Sequence, residues 1–285
     1  MVLSERLEAI LELLSEDSQS LLLDVGCDHG YICIEAVRRG LTELAIAADI
    51  NKGPLSGASD NIRRAELSDR ISTELSNGLK DIPSELIRDK KGRGKATLLI
   101  AGMGGALITD ILRSAGEDRL LLLDRLILSP QSEPELVRHF LVDGGHYHIR
   151  DERHVLDEGK YYVLIDAVKA GDAEEICQRR TEMHGGDLEE AEAAGMKHPE
   201  DNGPEPRMGE EGSAPYSPCE YLFGRWGIRK KDPLLLEQLC RLKESTVLAL
   251  ERASRGSSEK AERRRKELSE LIGYIDEALT MMRSR

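Results

Sequence analysis

The residues able to do chemistry gather in a few short turns of the first 131 positions. The first, Asp24-Val25-Gly26-Cys27-Asp28-His29-Gly30, sets two carboxylates and an imidazole among small residues. Small residues let a turn pass close to a ligand, and a helix that follows points its unsatisfied N–H groups there. Asp49 stands 25 residues after Asp24, where a carboxylate can accept both hydroxyls of an adenosine ribose. Asn77-Gly78 offers a side-chain amide able to meet an adenine ring. Ala101-Gly102-Met103-Gly104-Gly105 supplies three glycines that admit a bulky ligand against backbone. Any one of these is often only a tight connection. Four at the ends of successive strands indicate a nucleoside cofactor.

Such turns need a frame to hold them. Residues 1–170 alternate short β-rich runs with helical patterns, which argues for a parallel sheet flanked by helices. Leu3, Leu7, Ile10, Leu11 and Leu14 form the stripe of an opening helix with Ser4 as its N-cap. Strands are expected at 21–25, 44–48, 71–75, 97–101 and 126–128, and helices at 31–39, 53–64, 104–113 and 133–142. Two longer strands, 147–155 and 161–168, follow around the tight connection Asp157-Glu158-Gly159. Five strand–helix units closed by an antiparallel hairpin is the layout of S-adenosylmethionine-dependent methyltransferases. The expected fold class is therefore α/β, a Rossmann-like seven-stranded sheet.

The remainder of the chain differs. Leu235, Leu239, Leu242, Thr246, Ala249 and Ala253 step by three and four, as do Leu268, Leu271, Ile275, Ala278 and Met282. With Ser254-Arg255-Gly256-Ser257-Ser258 as stop and new N-cap, this reads as a coiled-coil-like antiparallel helical hairpin. Its run Arg263-Arg264-Arg265-Lys266 is either a solvated face or a phosphate contact.

Charge divides the chain in the same way. The first 170 residues carry 29 acidic and 21 basic side chains, the next 45 carry 13 and 4, and the last 70 carry 11 and 15. The expected organisation is a catalytic domain over 1–170, an acidic flexible linker over 171–215 and a helical hairpin over 216–285. The net charge of −13 therefore does not exclude RNA, because the local field decides. No apolar run approaches the roughly 20 residues of a membrane span. The charged opening helix does not read as a signal peptide. Five irregularly spaced cysteines argue against a disulfide framework, and the expected location is cytoplasmic. Cys27 and Cys33 lack zinc spacing, and His146, His148 and His154 lack an evident further ligand, so no metal is expected. Lys90 to Lys95 reads as a basic loop, and Trp226 as an anchor of the hairpin.

The sequence also resembles a family. Asp-Val-Gly-Cys-Asp-His-Gly-Tyr (24–31), Asp49-Ile50-Asn51-Lys52-Gly53-Pro54, Ile100-Ala101-Gly102-Met103-Gly104-Gly105, Leu126-Ile127-Leu128-Ser129-Pro130-Gln131 and Gly159-Lys160-Tyr161-Tyr162 are similar to the bacterial tRNA adenine-N1 methyltransferases that modify position 22. The similarity covers about residues 4–168 and returns loosely at Tyr221-Leu222-Phe223-Gly224 and the hairpin. It implies S-adenosylmethionine as donor, held by Asp24, Gly26, Tyr31, Asp49, Ile50, Asn77, Gly78, Ala101, Gly102 and Met103. It implies tRNA as partner, held in part by the C-terminal helical domain, where Arg263, Arg264 and Arg265 are the expected contacts; the expected state is a monomer or weak dimer. The family usually has Gln-Pro-Asn where Ser129-Pro130-Gln131 stands, Asp-Gly-Leu at Asn77-Gly78-Leu79, and often Glu at Asp49.

Methyl transfer to adenine N1 needs no strong base, because the N1 lone pair is free at neutral pH. The protein must align the reactants, exclude water and stabilise positive charge growing on the base. Asp28 is the expected catalytic carboxylate, with a helix cap as its other reading. His29 either orients Asp28 or caps the helix itself. N1 lies on the Watson–Crick edge, so the base must be extruded, toward a pocket including Ser129, Pro130 and Gln131. The competing readings are a methyltransferase with another acceptor, a non-catalytic RNA-binding relative and a nicotinamide dehydrogenase.

Overall fold

A computed structural model describes residues 3–172, 215–256 and 258–284. All but the ends of the acidic block 171–215, expected as a linker, lies outside the described residues. The chain runs α1 (Glu5–Ser15), β1 (Gln19–Val25), α2 (Tyr31–Arg38), β2 (Thr42–Asp49), α3 (Lys52–Arg64), β3 (Ile71–Leu75), α4 (Ser84–Lys91) and β4 (Ala96–Met103). It continues through α5 (Gly105–Ser114), α6 (Glu117–Leu120), β5 (Arg125–Pro130), α7 (Pro134–Gly144), β6 (Tyr147–Asp157) and β7 (Lys160–Lys169). The helical part comprises α8 (Pro218–Phe223), α9 (Arg225–Arg229), α10 (Pro233–Ala253) and α11 (Glu259–Arg283).

The seven strands lie in the order β3-β2-β1-β4-β5-β7-β6. β1 to β5 are parallel, and β7 and β6 are antiparallel to their neighbours. A parallel sheet is covered on both faces, so its strands read as continuous apolar runs. In β1, Leu21, Leu23 and Val25 enter the layer shared with α4, α5 and α7, whereas Leu22 enters the layer shared with α1, α2 and α3. The order reverses between β1 and β4, and the strand ends at that point form the place where α/β sheets receive ligands. Between β6 and β7, Glu158 and Gly159 both have positive φ (48° and 76°), as a two-residue hairpin turn requires. The expected Asp-Glu-Gly hairpin is thus present.

The helical hairpin has its own core, in which Leu235, Leu239, Ile275, Ala278 and Met282 pack with Cys219 and Ile228. A buried ion pair ties it to the sheet. Arg138 Nε of α7 donates to Glu152 Oε1 of β6 at 2.6 Å, and Arg138 Nη1 donates to the carbonyls of Tyr221 and Leu222 at 2.8 and 3.0 Å. Those carbonyls end α8 and lack helical partners of their own, so Arg138 also serves as a cap. Glu152 Oε2 accepts from the Trp226 backbone N–H at 3.1 Å. The Trp226 indole N–H donates to the Ile149 carbonyl at 2.7 Å, which makes Trp226 the anchor expected of it. Asp232 caps α10 and also accepts from the His154 backbone N–H at 3.3 Å.

The structure departs from the sequence reading in four places. The short helices α4 and α6 were not expected, and Lys90 and Lys91 end α4 rather than opening a loop. Lys91 pairs with Asp124 at 2.5 Å. β5 extends through Ser129 and Pro130, two residues beyond the strand expected at 126–128, so these residues finish a strand. The third basic residue of the hairpin run, Arg265, donates from Nη1 to the carbonyls of Ala253 and Gly256 at 3.2 and 2.7 Å. It closes the end of α10 rather than facing solvent.

Candidate functional site

The turns singled out in the sequence all lie at the C-terminal ends of the parallel strands. β1 ends with Asp24 buried and flanked by β2 and β4 through Ala47 and Leu99. Burial pushes the Asp24 carboxyl up to about 7; the Cys33 thiol, donating at 3.8 Å, opposes this, while the negative Asp49 and Asp28 add to it. Gly26 follows with φ 81°, and a Cβ there would stand 2.3 Å from Met103 Cε. The turn therefore passes so close to the end of β4 that only glycine fits without displacing Met103.

Asp28 comes next, a non-glycine residue with φ 49°. That conformation is disfavoured for an ordinary side chain and is retained where the surroundings impose it. Its side chain is 74 % exposed, with Oδ1 3.7 Å from His29 Nε2. His29 is held from α3: its carbonyl accepts from Asn61 Nδ2 at 3.1 Å, and its ring stands where a Cβ on Gly57 would be, 2.9 Å from Nδ1. The Tyr31 ring lies 5.6 Å from the His29 ring. The N-cap of α2 is Gly30, and no side chain caps it, so neither Asp28 nor His29 serves as the cap.

At the end of β2, Asp49 is buried and its Oδ1 accepts from the Asn51 N–H at 2.7 Å. That bond fixes the carboxylate and leaves Oδ2 for a ligand's hydroxyls. Ile50 beside it is 58 % exposed. Leu75, the last residue of β3, and Leu107, in the first turn of α5, are exposed to 50 % and 52 %. Exposed large apolar residues are individually ordinary, but these three sit on elements flanking the same strand ends and suit the face of a flat base. Asn77 is exposed, with its N–H bound to Asp81 at 3.1 Å, and Gly78 has φ 71° against Ile111. The sequence singled out Ile50 but not Leu75 or Leu107, which read as ordinary strand and helix apolars.

β4 ends in a bulge at Gly102, φ 80°, between Ala101 and Met103. Gln131 is exposed, its N–H bound to the Met103 carbonyl at 2.8 Å and its amide nitrogen 3.6 Å from where a Gly102 Cβ would be. Pro130 is buried, and Ser129 is wholly buried with an Oγ that has no hydrogen-bond partner. Of the triplet expected to meet a base, only Gln131 is open to a ligand; Ser129 stands behind it inside the sheet. Arg6 of α1 also reaches this point, with Nη1 3.9 Å from the same Gly102 position. Arg263 and Arg264 lie on the exposed face of α11, each paired with Glu267, at 3.3 and 3.2 Å. Among the described residues, no group of three or more His, Cys, Asp or Glu side chains is placed to hold a metal ion, and no helix is long and apolar enough to cross a membrane.

The donor set fits a nucleoside with a cationic sulfur: a buried carboxylate for hydroxyls, an apolar rim for a base, a glycine cradle and nearby acidic groups. Residues 3–165 match the family model described as a methyltransferase domain. The chain belongs to that methyltransferase family. The chain is 36 % identical over 170 residues to the tRNA (adenine(22)-N(1))-methyltransferase of Bacillus subtilis strain 168, covering 60 % of this chain and 66 % of that protein. The match thus spans a little under two thirds of the relative's length. A Streptococcus pneumoniae crystal structure, described as a candidate tRNA (m1A22) methyltransferase, is 26 % identical with a TM-score of 0.72, covering 98 % of this chain and all of that one. A second structure of that protein, in complex with S-adenosyl-L-methionine, has a TM-score of 0.70 at the same identity and coverage. The likeness runs through the helical part as well as the methyltransferase domain, and the resemblance read from the turns is borne out.

Proposed function

We propose that this chain transfers a methyl group from S-adenosylmethionine to N1 of the adenosine at position 22 of tRNA. One observation carries the reading. The end of β1 and the turn after it set a shielded carboxylate, Asp24, inside the strand ends and a solvent-facing carboxylate, Asp28, outside them, within five residues. A single turn can then meet the donor on one side and the acceptor on the other. The names of the Bacillus and Streptococcus relatives support the choice of tRNA and of position 22.

When bound, the donor supplies an electrophilic methyl group on a sulfonium. Asp49 would hold its ribose, Ile50, Leu75 and Leu107 would enclose its base, and the Gly26 turn would allow close approach of its sulfur. The donor would supply the methyl carbon that bonds to N1 as the carbon–sulfur bond breaks, leaving S-adenosylhomocysteine. Asp28 accepts from the exocyclic amine of the extruded base and stabilises the positive charge that develops on the ring. His29, whose carbonyl is tied to Asn61 and whose ring fits over Gly57, positions Asp28. Gln131 reads the Watson–Crick edge, and Arg263 and Arg264 contact tRNA phosphates from the hairpin.

The test is incubation with labelled S-adenosylmethionine and total bacterial tRNA, followed by nucleoside analysis. Label is expected in 1-methyladenosine, and a transcript with guanosine at position 22 should accept none. Label in any other nucleoside, or in the guanosine variant, would overturn the assignment.

A further inference from the structure

Gly105 opens α5, and the sequence reads it, with Gly102 and Gly104, as leaving room for a ligand. The structure fills that room from within the chain. Gly105 is buried, and a Cβ there would stand 2.0 Å from the Glu133 carbonyl oxygen and 2.9 Å from that of Ser132. Its N–H donates to the Ser132 carbonyl at 2.7 Å, which supplies the cap that the glycine N-cap Gly104 cannot. The Glu133 carbonyl is not free to turn aside, because it accepts the Leu136 N–H at 3.1 Å in the first turn of α7. Glu133 itself has φ 53° and ψ 47°, a left-handed conformation disfavoured for glutamate and again by the proline that follows, Pro134. Such a conformation persists where the surroundings impose it. Two residues earlier, the Gln131 N–H is pinned to the Met103 carbonyl at 2.8 Å. The corner between β5 and α7 is therefore seated on the end of β4 and the start of α5 by two backbone hydrogen bonds and one missing side chain.

We infer that Gly105 is a positioning residue for methyl transfer: by admitting the Glu133 and Ser132 carbonyls, it sets the Gln131 amide against the target base. This rests on the acceptor reading of Gln131 above. The Met103 side chain lies against Gly26 and its carbonyl holds Gln131, so the turn after β1 and the loop facing the base belong to one stitched unit. Alignment of N1, methyl carbon and sulfur requires a fixed separation between those two turns. A methyl group on Gly105 would force the corner back by about 1 Å or more, the shortfall from ordinary van der Waals contact. With Glu133 and Pro134 fixing the corner on the α7 side, the displacement passes to Gln131. Packing of α5 against α7 alone would be satisfied by a small side chain on a relaxed corner. Here a strained corner and a glycine are kept together beside the one member of the Ser129-Pro130-Gln131 triplet that is open to a ligand.

The experiment is a double-mutant cycle on the full chain, read as single-turnover methylation of a tRNA transcript with adenosine at position 22, well below the melting transition of each variant. Gln131→Ala should slow the reaction at least about tenfold, the loss expected for a hydrogen bond to a base gaining charge. Gly105→Ala should slow it by at least about as much, while S-adenosylhomocysteine affinity, measured by calorimetry, stays within about threefold. The double variant should be within about twofold of the slower single one, because Gln131 is already misplaced. If Gly105→Ala does not fold, the cycle is run with Glu133→Gly, which adopts the left-handed corner without strain but no longer restrains it; the same pattern is expected, more weakly. Losses that multiply in the double variant would mean that Gly105 does not act through Gln131 and overturn the inference. So would a Gly105→Ala enzyme with a lowered melting temperature but the wild-type rate, or one whose lost rate is matched by lost S-adenosylhomocysteine affinity. A Gln131→Ala enzyme at the wild-type rate overturns the acceptor reading of Gln131 and this inference with it. A wild type that leaves the transcript unmethylated overturns the proposed function itself, whereas an active wild type that depends on Gln131 but shows multiplying losses overturns this inference alone.

Discussion

Replacing Arg138 by methionine removes a cation that is 1 % exposed from a carboxylate that is fully buried. Glu152 would keep the Trp226 N–H but lose its counter-charge, and the last carbonyls of α8 would lose their donor. Breaking one side of a buried pair costs about 3–5 kcal/mol, because the remaining charge is stranded. That is a large share of the roughly 5–15 kcal/mol by which domains are stable. With a urea slope of about 2 kcal/mol/M, the midpoint should fall by about 2 M. Glu152→Gln should cost less, about 1–3 kcal/mol, since the amide still accepts one hydrogen bond and Arg138 keeps both carbonyls. The chain has one tryptophan, Trp226, and it stands at this junction, so its fluorescence reports undocking of the hairpin. In Arg138→Met the fluorescence transition should precede the loss of far-UV circular dichroism. Coincident transitions at the wild-type midpoint would refute the reasoning, as would a greater cost for Glu152→Gln than for Arg138→Met.

Asp28→Ala should retain S-adenosylhomocysteine affinity while abolishing turnover; a matched loss of affinity would move Asp28 from catalysis to donor binding. The Asp24 carboxyl has its ordinary value of 3.8 raised to about 7, so the folded state holds a proton the unfolded chain releases. Its contribution is complete below about pH 4 and is lost as pH rises through 7. Melting temperatures should therefore fall for the wild type relative to Asp24→Asn between pH 4 and 7.5, and parallel profiles would exclude this titration. Replacing Arg263 and Arg264 together by alanine should lower tRNA affinity and flatten its salt dependence. Arg265→Ala, which uncaps α10, should instead lower stability by about 1 kcal/mol with the salt slope unchanged; the opposite pattern would reverse these roles.

The parallel core was legible because its strands are buried on both faces and therefore read as unbroken apolar runs. The helices α1, α10 and α11 were legible from their stripes, and α1 and α11 also from their serine caps. α4 was not, because Ile87 is its one buried residue and Pro83 and Gly92 punctuate a polar stretch. The donor turns could be found because glycine and aspartate at strand ends carry a steric and electrostatic meaning of their own. The tertiary placement of a side chain has no such signature. Ser129 looked available because the resemblance sets its segment where the target base is expected, yet pairing with Ala101 draws it into the sheet. Arg265 belongs to a run of four similar residues, and only the trajectory of the preceding helix decides which one is occupied by a cap. Arg6 had one faint signal, a cation against the helix dipole.

β6 is the last strand of the sheet, and its outer backbone groups would otherwise be open for pairing. The Ile149 carbonyl is taken by the Trp226 indole and the His154 N–H by the Asp232 carboxylate, both from the helical part. The hairpin therefore shields a β-edge that would template association between molecules if uncovered. A chain cut back to its catalytic half should clump in solution. Point changes on the helical surface, rather than truncation, are the sound way to separate the two halves.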